Sequence, residues 1–277
     1  MELALSARIA ESFLSKEESR LSADEFARVA AASGYAAVCM RASQVGIHSL
    51  PENVAQMKAA VDAHGLRVSM VTGDFDIVYN NDNGPNCLWN IGPYLDLAER
   101  LGARLVRVCL KSAGDIAAAR QAAAMAGDRG LQLLHQCHVQ SLFETVDAIE
   151  ATLSKIDHPA FGLIFEAANL EECGQPYDES TIRRLSPWIR NVYLQNQVMS
   201  PTGSIKLHTW CRGDVSLDIV PIDAGTGINF GRIFCGLKAI GYDGLITVHQ
   251  SAPDDGSSVS AAAERTACYL KNLWTES

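Results

Sequence analysis

The residues whose types and spacing best suit chemistry lie in the stretch 130–145, GLQLLHQCHVQSLFET. Gln136 and His138 are two residues apart, so both point to the same face of an extended chain. The apolar run before them is too short for a helix and predicts a buried strand. Ser141 precedes Glu144 by three residues, the spacing of a capping box, which predicts that a helix begins there. An amide and an imidazole where a strand gives way to a helix lie where parallel α/β sheets bind ligands.

Two further ionisable residues directly follow apolar runs. Glu166 comes after GLIF, and His249 comes after LITV. A carboxyl in such a position is expected to be partly desolvated and to lie near a counter-charge. His249 can exchange a proton near neutral pH, although a buried histidine can also be a hydrogen-bonded core residue. Both residues are candidates for acid–base chemistry.

The strand, polar tip and helix of this stretch recur along the chain, which predicts a single (β/α)8 TIM barrel over residues 1–277. An open doubly wound sheet is the alternative, but the sequence has no G-x-G-x-x-G after the first strand and no phosphate-binding P-loop. No linker or change of composition divides the chain. The strands are predicted at Leu3 to Arg8, Tyr35 to Met40, Leu66 to Val71, Arg104 to Leu110, Leu131 to Leu134, Ala160 to Phe165, Ile189 to Leu194, and the run before His249.

The stretch from Val198 to Ile228 has no clear period. A loop of this length inside a compact barrel is usually functional or contains small elements. We therefore expect it to contribute to the site at the carboxyl ends of the strands.

Composition excludes several classes of partner. The chain of 277 residues has a formal net charge of −9, which argues against a nucleic-acid partner. No apolar run approaches the ~18 residues that span a bilayer, so no membrane association is expected. Residues 1–16 lack the features of a secretory signal. The eight cysteines are scattered without a C-x-x-C pair, which favours a reducing cytoplasm over disulfides or a zinc knuckle.

Positive and aromatic residues near the predicted strand tips could hold a ligand. Guanidinium groups give bidentate contacts to anions and hydroxyls, although some of these residues could instead pair with neighbouring helices. Trp89 and Trp210 could each stack on a sugar face, or each could equally anchor a loop. The candidate cationic residues are Arg8, Arg41, Arg107 and Lys111 near the early tips, with His208 and Arg212 in the long stretch before the last strand.

Four segments resemble the xylose isomerase-like TIM barrels, the sugar phosphate isomerase/epimerase family that also takes in the endonuclease IV-type fold. They are LLHQCHVQSLFET, FGLIFEAANL, IRNVYLQNQ and FGRIFCGLKAIGYDGLITVHQ. The likeness extends from Leu3 to about Leu273, with the first half matching only in layout. It implies a barrel that acts on a carbohydrate or sugar acid, and a homo-oligomer, either a dimer or a tetramer.

Members of this family typically hold a divalent cation with Glu, Asp, His and Glu on strands five to eight. In this chain those positions fall on Gln136, Glu166, Tyr193 (or Gln195) and His249, so every position departs from the pattern. The resemblance still implies a metal site formed by Glu166, Gln195, His249 and Gln136, or His138, for Mn²⁺, Zn²⁺ or Mg²⁺. With a single carboxylate, such a site would bind hard cations weakly.

Three functions are compatible with these residues. The first is a sugar or sugar-acid isomerase or epimerase, with Glu166, His249 and His138 as catalytic residues and Gln136 positioning hydroxyls. The second is a lyase or dehydratase that acts on a keto-sugar in the same barrel. The third is a non-catalytic barrel that binds a carbohydrate or a partner. Endonuclease activity ranks lower, because the chain lacks a basic groove.

Overall fold

The structure is a computed structural model that describes residues 1–12, 15–253 and 258–277. Eight parallel strands close into a barrel in the spatial order β1-β11-β7-β6-β5-β4-β3-β2, which confirms the predicted TIM barrel. The barrel strands are β1 (Leu3–Ser6), β2 (Ala37–Arg41), β3 (Arg67–Thr72), β4 (Leu105–Val108), β5 (Gln132–Gln136), β6 (Phe161–Glu166), β7 (Ile189–Leu194) and β11 (Ile246–Val248).

Helices connect the strands and cover the barrel, and their apolar faces pack on its outer surface. No helix within the described residues has the length and apolar character needed to cross a membrane. The helices are α1 (Ala23–Ala32), α2 (Pro51–Ala63), α3 (Phe75–Tyr79), α4 (Asn86–Trp89), α5 (Gly92–Leu101), α6 (Asp115–Asp128), α7 (Val146–Ile156), α8 (Ala167–Glu172), α9 (Glu179–Leu185), α10 (Phe230–Ala239) and α11 (Val259–Glu276), with a short 3₁₀ helix at Ala7–Ala10.

The stretch without a clear period folds into a small antiparallel sheet of strands β8 (Gln197–Met199), β9 (Ile205–Thr209) and β10 (Gly213–Ile219). The pairing of β9 with β10 forms a hairpin whose turn contains Trp210, Cys211 and Arg212. Apolar residues alternate in both strands of this hairpin, as expected for a sheet with one buried face. The expectation that this stretch contains small elements is confirmed.

The helix predicted to begin near Ser141 begins instead at Val146, and Thr145 caps it by accepting a hydrogen bond from the Ala148 N–H at 3.2 Å. The capping box of Ser141 and Glu144 is therefore wrong. The Ser141 hydroxyl lies in a turn, where it donates to the carbonyl oxygen of His138 at 2.7 Å.

Glu144 instead fastens the hairpin to the barrel. Its carboxylate accepts hydrogen bonds from the backbone N–H of Gln140 at 2.6 Å, of Trp210 at 2.8 Å and of Cys211 at 2.7 Å. Hydrogen bonds to a charged acceptor are stronger than neutral ones, and Glu144 itself is buried. One side chain thus satisfies amides from two segments that are distant in sequence.

We expect Glu144→Ala to lower the free energy of unfolding by roughly 2–4 kcal/mol, because it leaves three backbone N–H groups without their acceptor. Urea unfolding measures this change, with the exposed Glu264→Ala on α11 as the matched control. Equal stability of the two variants would show that water replaces the carboxylate at no cost.

Candidate active site

The inner face of the barrel carries an apolar layer with a polar layer above it. The apolar layer consists of Cys39, Met70, Leu134, Ile164 and Tyr193, with Leu105 packed against it. Side chains two residues apart in a strand point the same way, so the residues two positions further along should face the mouth of the barrel. Those residues are Arg41, Thr72, Arg107, Gln136, Glu166 and Gln195.

A cavity of about 200 Å³ lies above this polar layer. This volume is small beside the roughly 300–1,000 Å³ of pockets for drug-sized ligands, so the cavity suits a small molecule. Ile205, Leu207, Leu217 and Ile219 of the hairpin line one side of it with apolar groups. The polar and charged lining consists of Arg8, Lys16, Arg41, Arg107, Gln136, His138, Glu166, Asn169, Glu172, Gln195 and His249.

Glu166 ends β6 with only 1% of its surface exposed. Its Oε2 accepts hydrogen bonds from the amide groups of Gln136 and Asn169, whereas its Oε1 is buried without a hydrogen-bond partner. Burial raises the pKa of this carboxyl to about 7, against the opposing effects of the Gln136 hydrogen bond and the positive charge of Arg107. Glu166 can therefore take up and release a proton near neutral pH.

His249 lies on the same cavity, stacked on Tyr193 with the ring centroids 3.9 Å apart. Its Nδ1 is 3.0 Å from the hydroxyl of Ser6, and its Nε2 is 3.4 Å from Nη1 of Arg41. Because a guanidinium group only donates, Nε2 is the acceptor and the proton is on Nδ1. Burial and the charges of Arg41 and Arg107 hold the pKa of His249 well below its usual range, so the ring stays neutral.

His138 lines the cavity, where burial and the charge of Arg107 hold its pKa well below its usual range. Its Nδ1 lies 2.9 Å from the carbonyl oxygen of Val139, which assigns the proton to that nitrogen. The remaining Nε2 of the neutral ring is an acceptor suited to a hydroxyl group.

Two arginines pair with one buried carboxylate at the mouth of the barrel, and a third arginine lies nearby. Glu11 forms ion pairs with Arg41 at 2.7 Å and with Arg8 at 3.3 Å. Burial raises the pKa of Glu11, but Arg41 and the other hydrogen-bond donors outweigh it and hold the pKa below its usual value. Burial and the neighbouring arginines lower the pKa of Lys16 to about 7. The third guanidinium, that of Arg107, is nearly completely buried.

The structure brings together the predicted residues Arg8, Arg41, Arg107, Gln136, His138, Glu166, Gln195 and His249, but places four others outside the cavity. The Lys111 ammonium group donates to the carbonyl oxygen of Asn80 at 2.8 Å. Trp89 ends α4 with 67% of its surface exposed. His208 pairs with Asp214 at 2.7 Å on the outer side of the hairpin, and Arg212 bonds to backbone carbonyls at the end of α8.

Sequence reasoning missed Glu11, Lys16, Asn169 and Glu172 in the cavity and its surroundings. Glu11 follows the segment ARIA, whose apolar residues are interrupted by Arg8, so the signal that marked Glu166 is weaker there. Asn169 lies three residues after Glu166, a spacing that brings side chains together at the start of a helix. No pattern in the sequence marks Lys16 or Glu172.

The cavity does not suit a divalent cation. The carboxyl group of Glu166, with a pKa of about 7, is only partly ionised near neutral pH. Nε2 of His249 already accepts a hydrogen bond from Arg41. A dication beside them would also lie among the charges of Arg8, Arg41 and Arg107, which repel it strongly at low dielectric. The unpartnered Oε1 atoms of Gln136 and Glu166 are better matched by hydroxyl donors of a ligand.

Outside the cavity, Glu144, Cys173 and Cys211 bring three potential ligand atoms within 4.8 Å of one another, the one such group of His, Cys, Asp or Glu among the described residues. Its carboxylate already accepts three backbone N–H groups, as described above. Hydrogen bonding within the fold accounts for the position of Glu144 without a metal.

The raised pKa of Glu166 makes stability depend on pH. Between an unfolded value of about 4.3 and the native value of about 7, the native protein holds a proton that the unfolded chain has lost. The contribution of Glu166 to the free energy of unfolding therefore falls as pH rises through this range and is constant above it. The difference in the free energy of unfolding between Glu166→Gln and wild type should therefore shift by about 3 kcal/mol in favour of the variant between pH 4 and pH 8.

Urea unfolding at a series of pH values measures this difference, with Glu264→Gln as the control. If the stability of Glu166→Gln runs parallel to that of wild type over this range, Glu166 titrates at an ordinary pKa and the assignment of its burial as the dominant effect is wrong.

Solved structures with the same fold cover almost the whole chain. The probable 3-DHS dehydratase AsbF from Bacillus anthracis is 14% identical, with a TM-score of 0.67 and coverage of 98% of this chain and 99% of that one. D-allulose 3-epimerase from Methylomonas sp. is 15% identical, with a TM-score of 0.69 over 99% of this chain and 98% of the epimerase chain. A xylose isomerase-like TIM barrel protein from Mycobacterium smegmatis, in complex with magnesium, is 16% identical, with a TM-score of 0.69 over 99% and 97%.

No curated protein matches the chain. At these identities the structural neighbours establish the fold alone. The profile of the family described as xylose isomerase-like TIM barrel, however, matches residues 27–272. This chain therefore belongs to the xylose isomerase-like TIM barrel family.

Proposed function

We propose that the protein is an enzyme that transfers a proton at a carbon next to a carbonyl group, in a small carbohydrate or sugar acid. The isomerases and epimerases of sugars carry out this reaction. The observation that carries the proposal is Glu166, a buried carboxyl with a pKa raised to about 7 and with one oxygen free of partners at the cavity. A general acid–base group is most effective when its pKa lies near the working pH.

Gln136 and Asn169 fix the carboxyl group of Glu166 by donating to Oε2, which leaves Oε1 as the atom that exchanges the proton. In the ionised state Oε1 removes a proton from the carbon next to the carbonyl, and in the protonated state it returns that proton to the former carbonyl carbon, while the hydroxyl proton of the first carbon moves to the former carbonyl oxygen. The apolar hairpin residues exclude water from the cavity, which keeps the carboxylate poorly solvated and basic.

The other cavity residues position the substrate. Nε2 of neutral His138 accepts a hydrogen bond from a substrate hydroxyl, and the amide of Gln195 at the cavity wall contacts another. His249 accepts from Arg41 and is held by Ser6, so its role is to orient that guanidinium group. Substrate charge that develops on the carbonyl oxygen is stabilised by the arginines that line the cavity.

A dehydratase that acts in the same cavity is the second candidate. After proton removal by Glu166, expulsion of a β-hydroxyl group would give loss of water in place of proton return. Glu172 favours this alternative, because it lines the cavity and burial and the charge of Glu166 raise its pKa to about 8. A protonated carboxyl can donate a proton to a leaving hydroxyl group.

Incubation in D₂O with ketoses and with oxo- and hydroxy-acids of three to six carbons tests the proposal. Wild type should incorporate deuterium at the carbon next to the carbonyl without a change in composition, whereas loss of water in the product identifies the dehydratase. Glu166→Gln should lower the rate at least about 100-fold, because the amide cannot accept the proton. Glu264→Gln is the control, and undiminished exchange in Glu166→Gln contradicts the assignment.

The same exchange assay should show a kcat/KM that rises about tenfold per pH unit below pH 7 and levels off above it, since the free enzyme must hold Glu166 ionised. Deuterium incorporation followed by NMR between pH 5 and pH 9 gives this profile. A profile that is flat down to pH 5 would assign the base to a carboxyl with an ordinary pKa.

A further inference from the structure

Arg107 is a buried cation without a partner among the described residues. It follows the lumen residue Leu105 by two positions on β4 and faces the mouth of the barrel with 3% of its surface exposed. Its Nε is buried without a hydrogen-bond acceptor, and no described residue forms an ion pair or hydrogen bond with its guanidinium group. An isolated buried charge is costly, so a fold normally pairs it, and here the described part of the chain supplies no partner.

The surroundings of Arg107 do not neutralise it. Arg8 and Arg41 are both paired with the carboxylate of Glu11, so that carboxylate is not available to Arg107. His138 and His249 are neutral, and Lys16 adds further positive charge on the same cavity. Glu166 partly offsets the lowered pKa of Arg107, which burial causes, but its hydrogen bonds are to Gln136 and Asn169 and not to Arg107.

The lateral spacing of the strands sets the distance between Arg107 and Glu166. One strand, β5, separates β4 from β6, and neighbouring strands lie about 4.8 Å apart. A guanidinium group and a carboxyl that reach into the cavity from these positions can contact two ends of one small molecule. The end at Arg107 must be an anion, and the end at Glu166 must carry the exchangeable proton.

We propose that the guanidinium groups of Arg107 and Arg41 bind the carboxylate of a small oxo- or hydroxy-acid. These two groups take the place of a divalent cation, so that the site works without a metal. The inference rests on the proposed function for the reacting end of the substrate. A carboxylate matches the planar fork of a guanidinium group with two parallel hydrogen bonds. It also provides the hydrogen-bond acceptor that no described residue supplies to Arg107.

Binding of the potassium salt of an aldonic or 2-oxo-aldonic acid tests this site, measured by calorimetry on protein treated with EDTA. The neutral sugar of the same carbon number and the corresponding sugar phosphate are measured in parallel. We expect the acid to bind, the neutral sugar to bind at least about 10-fold more weakly, and Arg107→Met to weaken acid binding about 10- to 100-fold. Tighter binding of the phosphate than of the acid overturns the choice of a carboxylate.

Two controls separate a binding role of Arg107 from a structural one. Arg28→Met removes an exposed guanidinium group from α1 and should leave acid binding unchanged. Without ligand, Arg107→Met should melt at or above the temperature of wild type, because it removes an unpaired buried charge. Unfolding of Arg107→Met, together with full acid binding by Arg107→Lys, would overturn the assignment by making Arg107 a structural residue.

The same protein tests independence from metal. Titration of wild type with Mg²⁺ and Mn²⁺ should show no binding that is lost in Glu166→Gln. The rate of deuterium exchange should be unchanged by EDTA. A cation whose binding depends on Glu166 overturns the inference while the proposed reaction stands. Acid binding through Arg107 without any exchange has the opposite meaning, because the anion site then stands and the proposed reaction fails.

Discussion

The buried guanidinium group of Arg107 at the mouth of the barrel is the constraint on which the rest of the site depends. Arg8 and Arg41 both pair with Glu11, and no described residue accepts a hydrogen bond from Arg107. Charges in a poorly solvated site act over longer distances than in water. Burial is the main cause that lowers the pKa of His138 and His249 and raises that of Glu166; the charges of the arginines add to the first effect and oppose the second.

The small sheet over the barrel makes this electrostatic arrangement effective. Its hairpin lines one side of the cavity with apolar side chains and is held by Glu144, which lies in the loop after β5. The strand that supplies Gln136 is therefore followed directly by the loop that holds the apolar side of the cavity in place. Within the family, the same barrel carries different chemistry because the residues at the strand ends change while the apolar layer below them supports the fold.

Much of the fold was predictable, because eight apolar runs separated by amphipathic segments have few other ways to bury their surface. The polar layer was also predictable where a residue directly ends a strand, as with Arg41, Gln136 and Glu166, because the period of two fixes the direction of each side chain. Loop residues have no such period. Lys111 was therefore included wrongly among cavity residues, although its ammonium group binds a loop carbonyl.

The hydrogen-bond partners of Glu144 and His249 could not be predicted from the sequence, for a different reason. The spacing of Ser141 and Glu144 fits a capping box, but the backbone amides of a hairpin more than sixty residues away compete for the same carboxylate and win. Similarly, the imidazole of His249 was a candidate ligand until the position of Arg41 beside its Nε2 was known. Such outcomes depend on distances between segments that only the folded chain determines.

A crystal structure of the protein grown with a 2-oxo-aldonic acid and Mn²⁺, with anomalous data that locate manganese, tests the central claim most directly. The predicted result is carboxylate density within hydrogen-bond distance of the Arg107 guanidinium group, with the carbon next to the carbonyl at Oε1 of Glu166 and no anomalous peak in the cavity. Manganese bound by Glu166, with the acid carboxylate away from Arg107, would contradict it.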